Sequence, residues 1–246
     1  MKKLNEKVAI VTGGSRGIGA AIAKKLAAEG AQVVVNYSGS QADAEMVVQN
    51  IISDGGSAVA IRADISLTQD VKQLFDAAIQ HFGKVDILIN NAGIMITKLL
   101  KDTTDEDFDK QFNINVKGTF LLLREAAITL ADGGSIVNFS TSINRLMVPT
   151  YSTYAATKSA VEQLTRVFSK EIGARGITIN TVSPGPTNTE LFIKGKPQQA
   201  IDGAKSLSPF NRLGEPEDIA GVVAFLVSDG AKWISAQNIG VNGAMA

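Results

Sequence analysis

Short runs of β-branched and apolar residues recur along the chain, and longer segments with helical periodicity separate them. The runs occupy residues 8–11, 33–35, 58–61, 85–89, 135–139, 177–180 and 238–241. Continuous apolar runs of this kind predict seven strands buried on both faces, as in a parallel sheet. The segments between them carry helix punctuation. Residues 17–29 place apolar side chains at 18, 22 and 26, with Gly30 as a terminating glycine. Ser66-Leu67-Thr68-Gln69 fits a capping box for a helix reaching His81. Thr104 can cap a helix opened by Asp105-Glu106-Asp107, and Pro216 suits the first turn of a helix running to about Ser228. Strands alternating with helices imply an α/β fold with right-handed crossovers and helices on both faces of the sheet.

No linker or repeat divides the 246 residues, a length that one α/β domain can occupy. The least regular stretch, 183–214, carries Pro184, Pro186, Pro197 and Pro209 and is expected to be a substrate-loop region. Lys+Arg and Asp+Glu both number 24, so the chain has no electrostatic footprint for nucleic acid or an acidic membrane. Cysteine is absent and His81 is the single histidine, which leaves no material for disulfides, a thiol nucleophile or a multi-histidine metal site. His81 and the acids between 102 and 109 read as solvated helix-end residues, and no metal is expected. No apolar window is long enough to span a bilayer, and the residues from Met1 to Lys7 lack the apolar core of a signal peptide. A cytoplasmic location is the expectation.

The first strand–helix junction is Thr12-Gly13-Gly14-Ser15-Arg16-Gly17-Ile18-Gly19. Glycines there permit a tight turn and close approach of a diphosphate, and the helix N-terminus offers free N–H groups. No Gly-Lys-Ser/Thr follows, so this is not a nucleoside-triphosphate loop. A nicotinamide-binding unit that selects NAD carries an acid about 20 residues further on. Here the second strand ends in Asn36-Tyr37-Ser38, and the next acid is Asp43. Arg16 and Ser38 could instead receive a 2′-phosphate, so NADP is favoured over NAD.

Tyr154 and Lys158 stand one helical turn apart and share a face. A free phenol, with a pKa near ~10, is a poor base at neutral pH. A fixed ammonium nearby is expected to lower that pKa. The tyrosine could then exchange a proton with a carbonyl oxygen.

Together these motifs resemble the short-chain dehydrogenase/reductase family over the whole chain, and among its branches the 3-oxoacyl-[acyl-carrier-protein] reductase-like members. The matching pieces, in order, are Thr12-Gly13 with Gly17 and Gly19, Asp64-Ile65, Asn90-Asn91-Ala92-Gly93, Asn115, Tyr154 with Lys158, and Pro184-Gly185. The resemblance implies a single-domain, Rossmann-like doubly wound fold and an oxidoreductase that moves hydride between NADPH and a carbonyl or alcohol. It implies that Tyr154 is the general acid/base, that Lys158 also holds the nicotinamide ribose, and that Asn115 supports a proton relay. Asp64 and Ile65 would meet the adenine. Asn91, Ala92 and Gly93 would pass close to the cofactor, and Pro184, Gly185, Thr187 and Thr189 would border the nicotinamide. A homodimer or homotetramer is also implied.

The family places a serine thirteen residues before the tyrosine, and this chain has Thr141 there, with Ser142 next to it. Either hydroxyl could hold the substrate oxygen; register favours Thr141. The segment 127–134 lacks the cations expected for docking an acidic carrier protein. A free carbonyl substrate is therefore favoured over a carrier-linked ketoacyl group. A non-catalytic nucleotide-binding regulator is the third reading, and the presence of Asn115, Tyr154 and Lys158 argues against it.

Overall fold

The computed structural model describes residues 3–246; Met1 and Lys2, which begin the basic N-terminal stretch, lie outside the described residues. Each apolar run forms a strand: β1 (Val8–Val11), β2 (Gln32–Tyr37), β3 (Ser57–Arg62), β4 (Ile87–Asn90), β5 (Ser135–Phe139), β6 (Thr178–Pro184) and β7 (Asn238–Val241). All pair in parallel, in the order β3-β2-β1-β4-β5-β6-β7. The helices between them are α1 (Gly17–Ala28), α2 (Gln41–Ser53), α3 (Thr68–Phe82), α4 (Asp105–Phe112), α5 (Gly118–Thr129), α6 (Ile143–Leu146), α7 (Ser152–Ile172), α8 (Glu190–Ile193), α9 (Gln198–Ser206) and α10 (Pro216–Leu226).

Successive side chains of a strand point to opposite faces, so each central strand feeds two cores. Ala9, Val11, Val33 and Val35 meet Ile22 and Leu26 of α1, Ile51 of α2 and Val223 of α10. Ile10, Val34, Leu88 and Ile136 face the other way, onto Leu74 and Phe75 of α3 and Leu121 and Leu122 of α5. Phe75 is fully buried, and truncating it to alanine would cost about 3–5 kcal/mol.

Several local expectations change. The edge strands β3 and β7 are only partly covered, because each has a neighbour on one side alone. Strand β4 starts at Ile87 rather than Val85, and the buried Asp86 carboxylate before it accepts from Val8 N at 2.9 Å. Strand β6 starts one residue late and runs on to Pro184, which pairs with Val241. No capping box forms at Ser66. Its N–H and hydroxyl both donate to the Asp64 carboxylate, at 2.9 and 2.7 Å, and Leu67 precedes the helix instead. A box does form at Thr104 with Asp107. The stretch 183–214 is partly helical, since it contains α8 and α9.

β1 lies between β2 and β4, so connections leaving the C-terminal ends of β1 and β4 diverge to opposite sides. That divergence opens a crevice at the carboxyl edge of the sheet, where the glycine turn and residues 91–93 meet.

Candidate active site

Thr12 ties the two sides of the crevice together. Its buried Oγ1 donates to Ile89 O and accepts from the N–H groups of Asn91 and Ala92, all at 3.1 Å. Asn91 Nδ2 donates back to the carbonyls of Thr12 (3.0 Å) and Gly13 (3.2 Å). At two of the turn's glycines there is no room for a side chain. A Cβ on Gly13, whose φ is +61°, would sit 3.0 Å from Ala92 Cα, and one on Gly19 would sit 2.2 Å from Gly13 O. The backbone is thereby left bare beneath an open groove.

The structure brings the sequence-predicted cofactor residues to this groove. Ser15, Arg16, Gly17 and Ile18 line it from the turn, Asn36, Tyr37 and Ser38 from the end of β2, and Asp64 and Ile65 from the end of β3. Asn91, Ala92, Gly93 and Thr189 line it from the other side. Their polar groups are not equally free. The buried Asn36 amide accepts from Gly13 N at 3.4 Å and donates to Ala63 O at 3.1 Å, so it frames the turn. The Tyr37 ring packs into the core beside α1 and α2. Asp64 is engaged by Ser66, and Arg16 Nη1 lies 2.8 Å from Glu190 Oε2. Ser40, at the start of α2, also lines the groove and its side chain makes no capping bond. A serine two residues beyond Ser38, just ahead of a helix, was the available signal for it.

The groove leads into a cleft lined by Thr141, Tyr154 and Lys158. Pro184, Gly185 and Thr187 form its floor, and Thr187 Oγ1 donates to Gly185 O at 2.9 Å. Tyr154 and Lys158 project from the first two turns of α7. Asn115 reaches the same place from a π-helical turn, Asn113–Lys117, inserted between α4 and α5. Such turns recur where a helix must redirect one side chain. Asn115 Oδ1 accepts from Ile94 N at 2.9 Å, and Nδ2 donates to Ile94 O (2.9 Å) and Thr157 Oγ1 (3.1 Å). A Cβ on Gly93 would lie 3.1 Å from Asn115 Oδ1 and 3.5 Å from Lys158 Nζ, so these groups crowd one point.

The two candidate hydroxyls separate. Thr141 lines the cleft together with Tyr154, and its Oγ1 accepts from Ile143 N at 3.3 Å. Ser142 Oγ donates to Ser183 O at 3.2 Å and accepts from Asn242 Nδ2 at 3.1 Å, which holds it to β6 and the C-terminal segment. Tyr151, one turn before Tyr154, stands edge-on to it with ring centroids 6.3 Å apart and lines the cleft. Helical spacing from Tyr154 was the signal that could have found Tyr151.

Electrostatics depart from expectation. Burial pushes the Tyr154 phenol up to about 12; the Thr141 hydroxyl opposes this and Tyr151 adds to it. Burial also lowers the Lys158 ammonium to about 8. The expected lowering of Tyr154 by Lys158 is absent: the lysine, whose Nζ donates to Phe139 O at 2.9 Å, has lost its charge before such a phenol titrates. Desolvation of the phenolate therefore prevails.

Comparison with known proteins agrees with this architecture. A family described as Enoyl-(Acyl carrier protein) reductase matches residues 13–245. A short-chain type dehydrogenase/reductase of Picea abies is 44% identical over 250 residues, covering 98% of this chain and 92% of the relative. An NADPH-dependent aldehyde reductase-like protein, chloroplastic, of Arabidopsis thaliana is 43% identical, covering 96% of this chain and 93% of its own. A short chain dehydrogenase from Burkholderia cenocepacia, solved in complex with NADP, superposes with a TM-score of 0.93 at 38% identity, covering 99% of both chains. With the parallel sheet, the glycine turn and the Tyr154–Lys158 pair already in place, these matches show that the chain belongs to the short-chain dehydrogenase/reductase family, oxidoreductases acting on alcohol and carbonyl groups.

Proposed function

We propose that this protein reduces small neutral ketones or aldehydes with NADPH and oxidises the corresponding alcohols in reverse. The observation that carries the reading is the convergence of Thr141, Tyr154 and Lys158 on one cleft that opens from the dinucleotide groove. The groove fits such a cofactor. Its glycine backbone is bare where a Cβ would clash, and Arg16, Ser38 and Ser40 supply a cation and hydroxyls at one end. The NADPH-dependent relative and the NADP-bound neighbour support the same choice.

When bound, the reduced nicotinamide supplies the hydride; the chain supplies position and a proton. Thr141 and Tyr154 hydroxyls hold the carbonyl oxygen. The Tyr154 Oη–H bond breaks as the new O–H bond forms on the substrate. Burial keeps that phenol protonated at neutral pH, the state an acid needs. A fixed donor such as Thr141 at the developing oxyanion contributes about 2–4 kcal/mol. Lys158, whose Nζ lies close to Gly93, would hold the ribose hydroxyls, and Asn115 beside it would support proton delivery.

Lys158 is the single charged side chain among the described residues lining the cleft, and Ile94, Met95, Leu146, Leu191 and Phe192 form apolar walls. That lining favours an uncharged substrate over one delivered on an acidic carrier. A panel of ketones, aldehydes and carrier-bound ketoacyl groups, followed by NADPH oxidation, tests the assignment. Turnover confined to carrier-bound substrates would replace the substrate class. NADPH binding without turnover of any carbonyl would remove the reductase reading.

A further inference from the structure

Tyr154, Lys158 and Glu162 follow one another at i, i+4 and i+8 along α7 and share a face. The first two face the cleft. The third reaches the back of the segment that carries Thr141. Glu162 Oε1 accepts from Ser140 Oγ at 2.5 Å and from Asn144 Nδ2 at 2.8 Å. Asn144 Nδ2 also reaches Ser140 Oγ at 3.3 Å. One carboxylate oxygen therefore gathers both ends of the turn 140–144, and Thr141 lies between those ends. On the side of β6 the same turn is held by backbone, through Ser140 N to Val182 O (2.8 Å) and Ser142 N to Pro184 O (3.0 Å). Those bonds set its height against the sheet. The Glu162 bonds set its distance from α7, the helix that bears Tyr154.

We propose that Glu162 is a positioning residue for the carbonyl reduction: by holding Ser140 and Asn144 it keeps the Thr141 hydroxyl beside the Tyr154 phenol. This rests on the reductase reading above. A carboxylate suits the task because an ionised acceptor takes two donors in short, strong hydrogen bonds. Alanine at 162 leaves Ser140 and Asn144 without that acceptor, and the turn relaxes away from α7. A displacement of about 1 Å in a positioning group can cost ~10²-fold in rate. The dinucleotide groove is lined by residues outside this turn, so NADPH binding should be little affected.

The test compares Glu162→Ala, Glu162→Gln, Thr141→Val and the Glu162→Ala/Thr141→Val pair in ketone reduction, with NADPH binding followed by fluorescence. Glu162→Ala should lower kcat by roughly 10- to 100-fold. Its NADPH Kd should stay within about threefold of the wild type. Glu162→Gln keeps an acceptor oxygen and should recover most of the rate. The double variant should be no slower than Thr141→Val alone, within about threefold, because coupled residues are not additive. Losses that multiply in the double variant, or an NADPH affinity that falls in step with kcat, would overturn the proposal. If Glu162→Ala does not fold, the same cycle run with Asn144→Ala, which removes one of the two donors to Glu162, decides by the same criterion. Hydrogen exchange provides a readout that needs no turnover. Peptides spanning 140–146 should exchange faster in Glu162→Ala or Asn144→Ala while α7 stays protected, and unchanged exchange overturns the positioning role. A wild type that binds NADPH but reduces no ketone would sink the reductase reading, and exchange would still decide whether Glu162 holds the turn.

Discussion

The Arg16 guanidinium lies 2.8 Å from the Glu190 carboxylate, which ties the glycine turn to the first residue of α8 across the groove. Lys194 holds the same carboxylate at 3.0 Å. Lys194 first and Arg16 second keep the Glu190 carboxyl below its ordinary range. The cation available to a 2′-phosphate thus already has an anionic partner, and the phosphate, with a charge of about −1.5 to −2, must compete with it. Glu190→Gln is expected to tighten NADPH by roughly threefold and to change NADH less, because only NADPH competes for Arg16. Arg16→Ala is expected to weaken NADPH about tenfold more than NADH, the scale of one charge-assisted hydrogen bond. Fluorescence titration of both cofactors reads both variants. Equal losses for the two cofactors in Arg16→Ala would place Arg16 away from the 2′-phosphate.

Tyr154→Phe keeps the ring and its packing against Tyr151 but removes the transferable proton. Turnover should fall by roughly 10²-fold or more, the scale of a general acid. NADPH affinity and thermal unfolding should stay close to the wild type. Steady-state kinetics beside a melting curve checks this, and near-normal turnover would exclude Tyr154 as the acid.

Thr141 and Ser142 make opposite predictions. Thr141→Val removes a hydroxyl that lines the cleft with Tyr154 and should cost about 2–4 kcal/mol of transition-state stabilisation. Ser142→Ala breaks its bonds to Ser183 and Asn242, so it should cost about 1–3 kcal/mol of fold stability and little turnover. Relative kcat/KM and urea midpoints separate the two. The reverse ranking in kcat/KM would move the substrate oxygen to Ser142.

Lys158 gives cofactor binding a pH dependence. Burial lowers its ammonium to about 8, so the free protein carries the cation below that pH and loses it above. If the ammonium holds the ribose hydroxyls, the NADPH Kd should rise as pH climbs through about 8. Lys158→Arg, which stays charged up to a pKa above ~12, should flatten that profile. Titrations from acidic to alkaline pH measure it, and a wild-type Kd with no break near 8 would remove Lys158 from ribose binding.

Neighbours in sequence were enough to read the strand runs, the glycine turn and the Tyr154–Lys158 pair. A buried parallel strand needs a continuous apolar run, a tight diphosphate turn needs glycine, and one helical turn brings i and i+4 together. Thr141 was singled out only through the family resemblance, thirteen residues before Tyr154, with Ser142 left as the alternative. Folding settled what each of those groups touches. Asn36 became a brace for Gly13 because β1, β2 and β3 lie side by side, and Ser142 was drawn to Ser183 and Asn242 because β5 and β6 pair. Arg16 met Glu190 across 174 positions, and Glu162 closed on Ser140 and Asn144. The phenol of Tyr154 rose where a neighbouring ammonium was expected to lower it, since burial raised the phenol and also lowered the lysine, which is neutral before the phenol titrates. Hydrogen-bond partners and desolvation depend on which surfaces close over a residue, and packing brings those surfaces from elements distant in the chain.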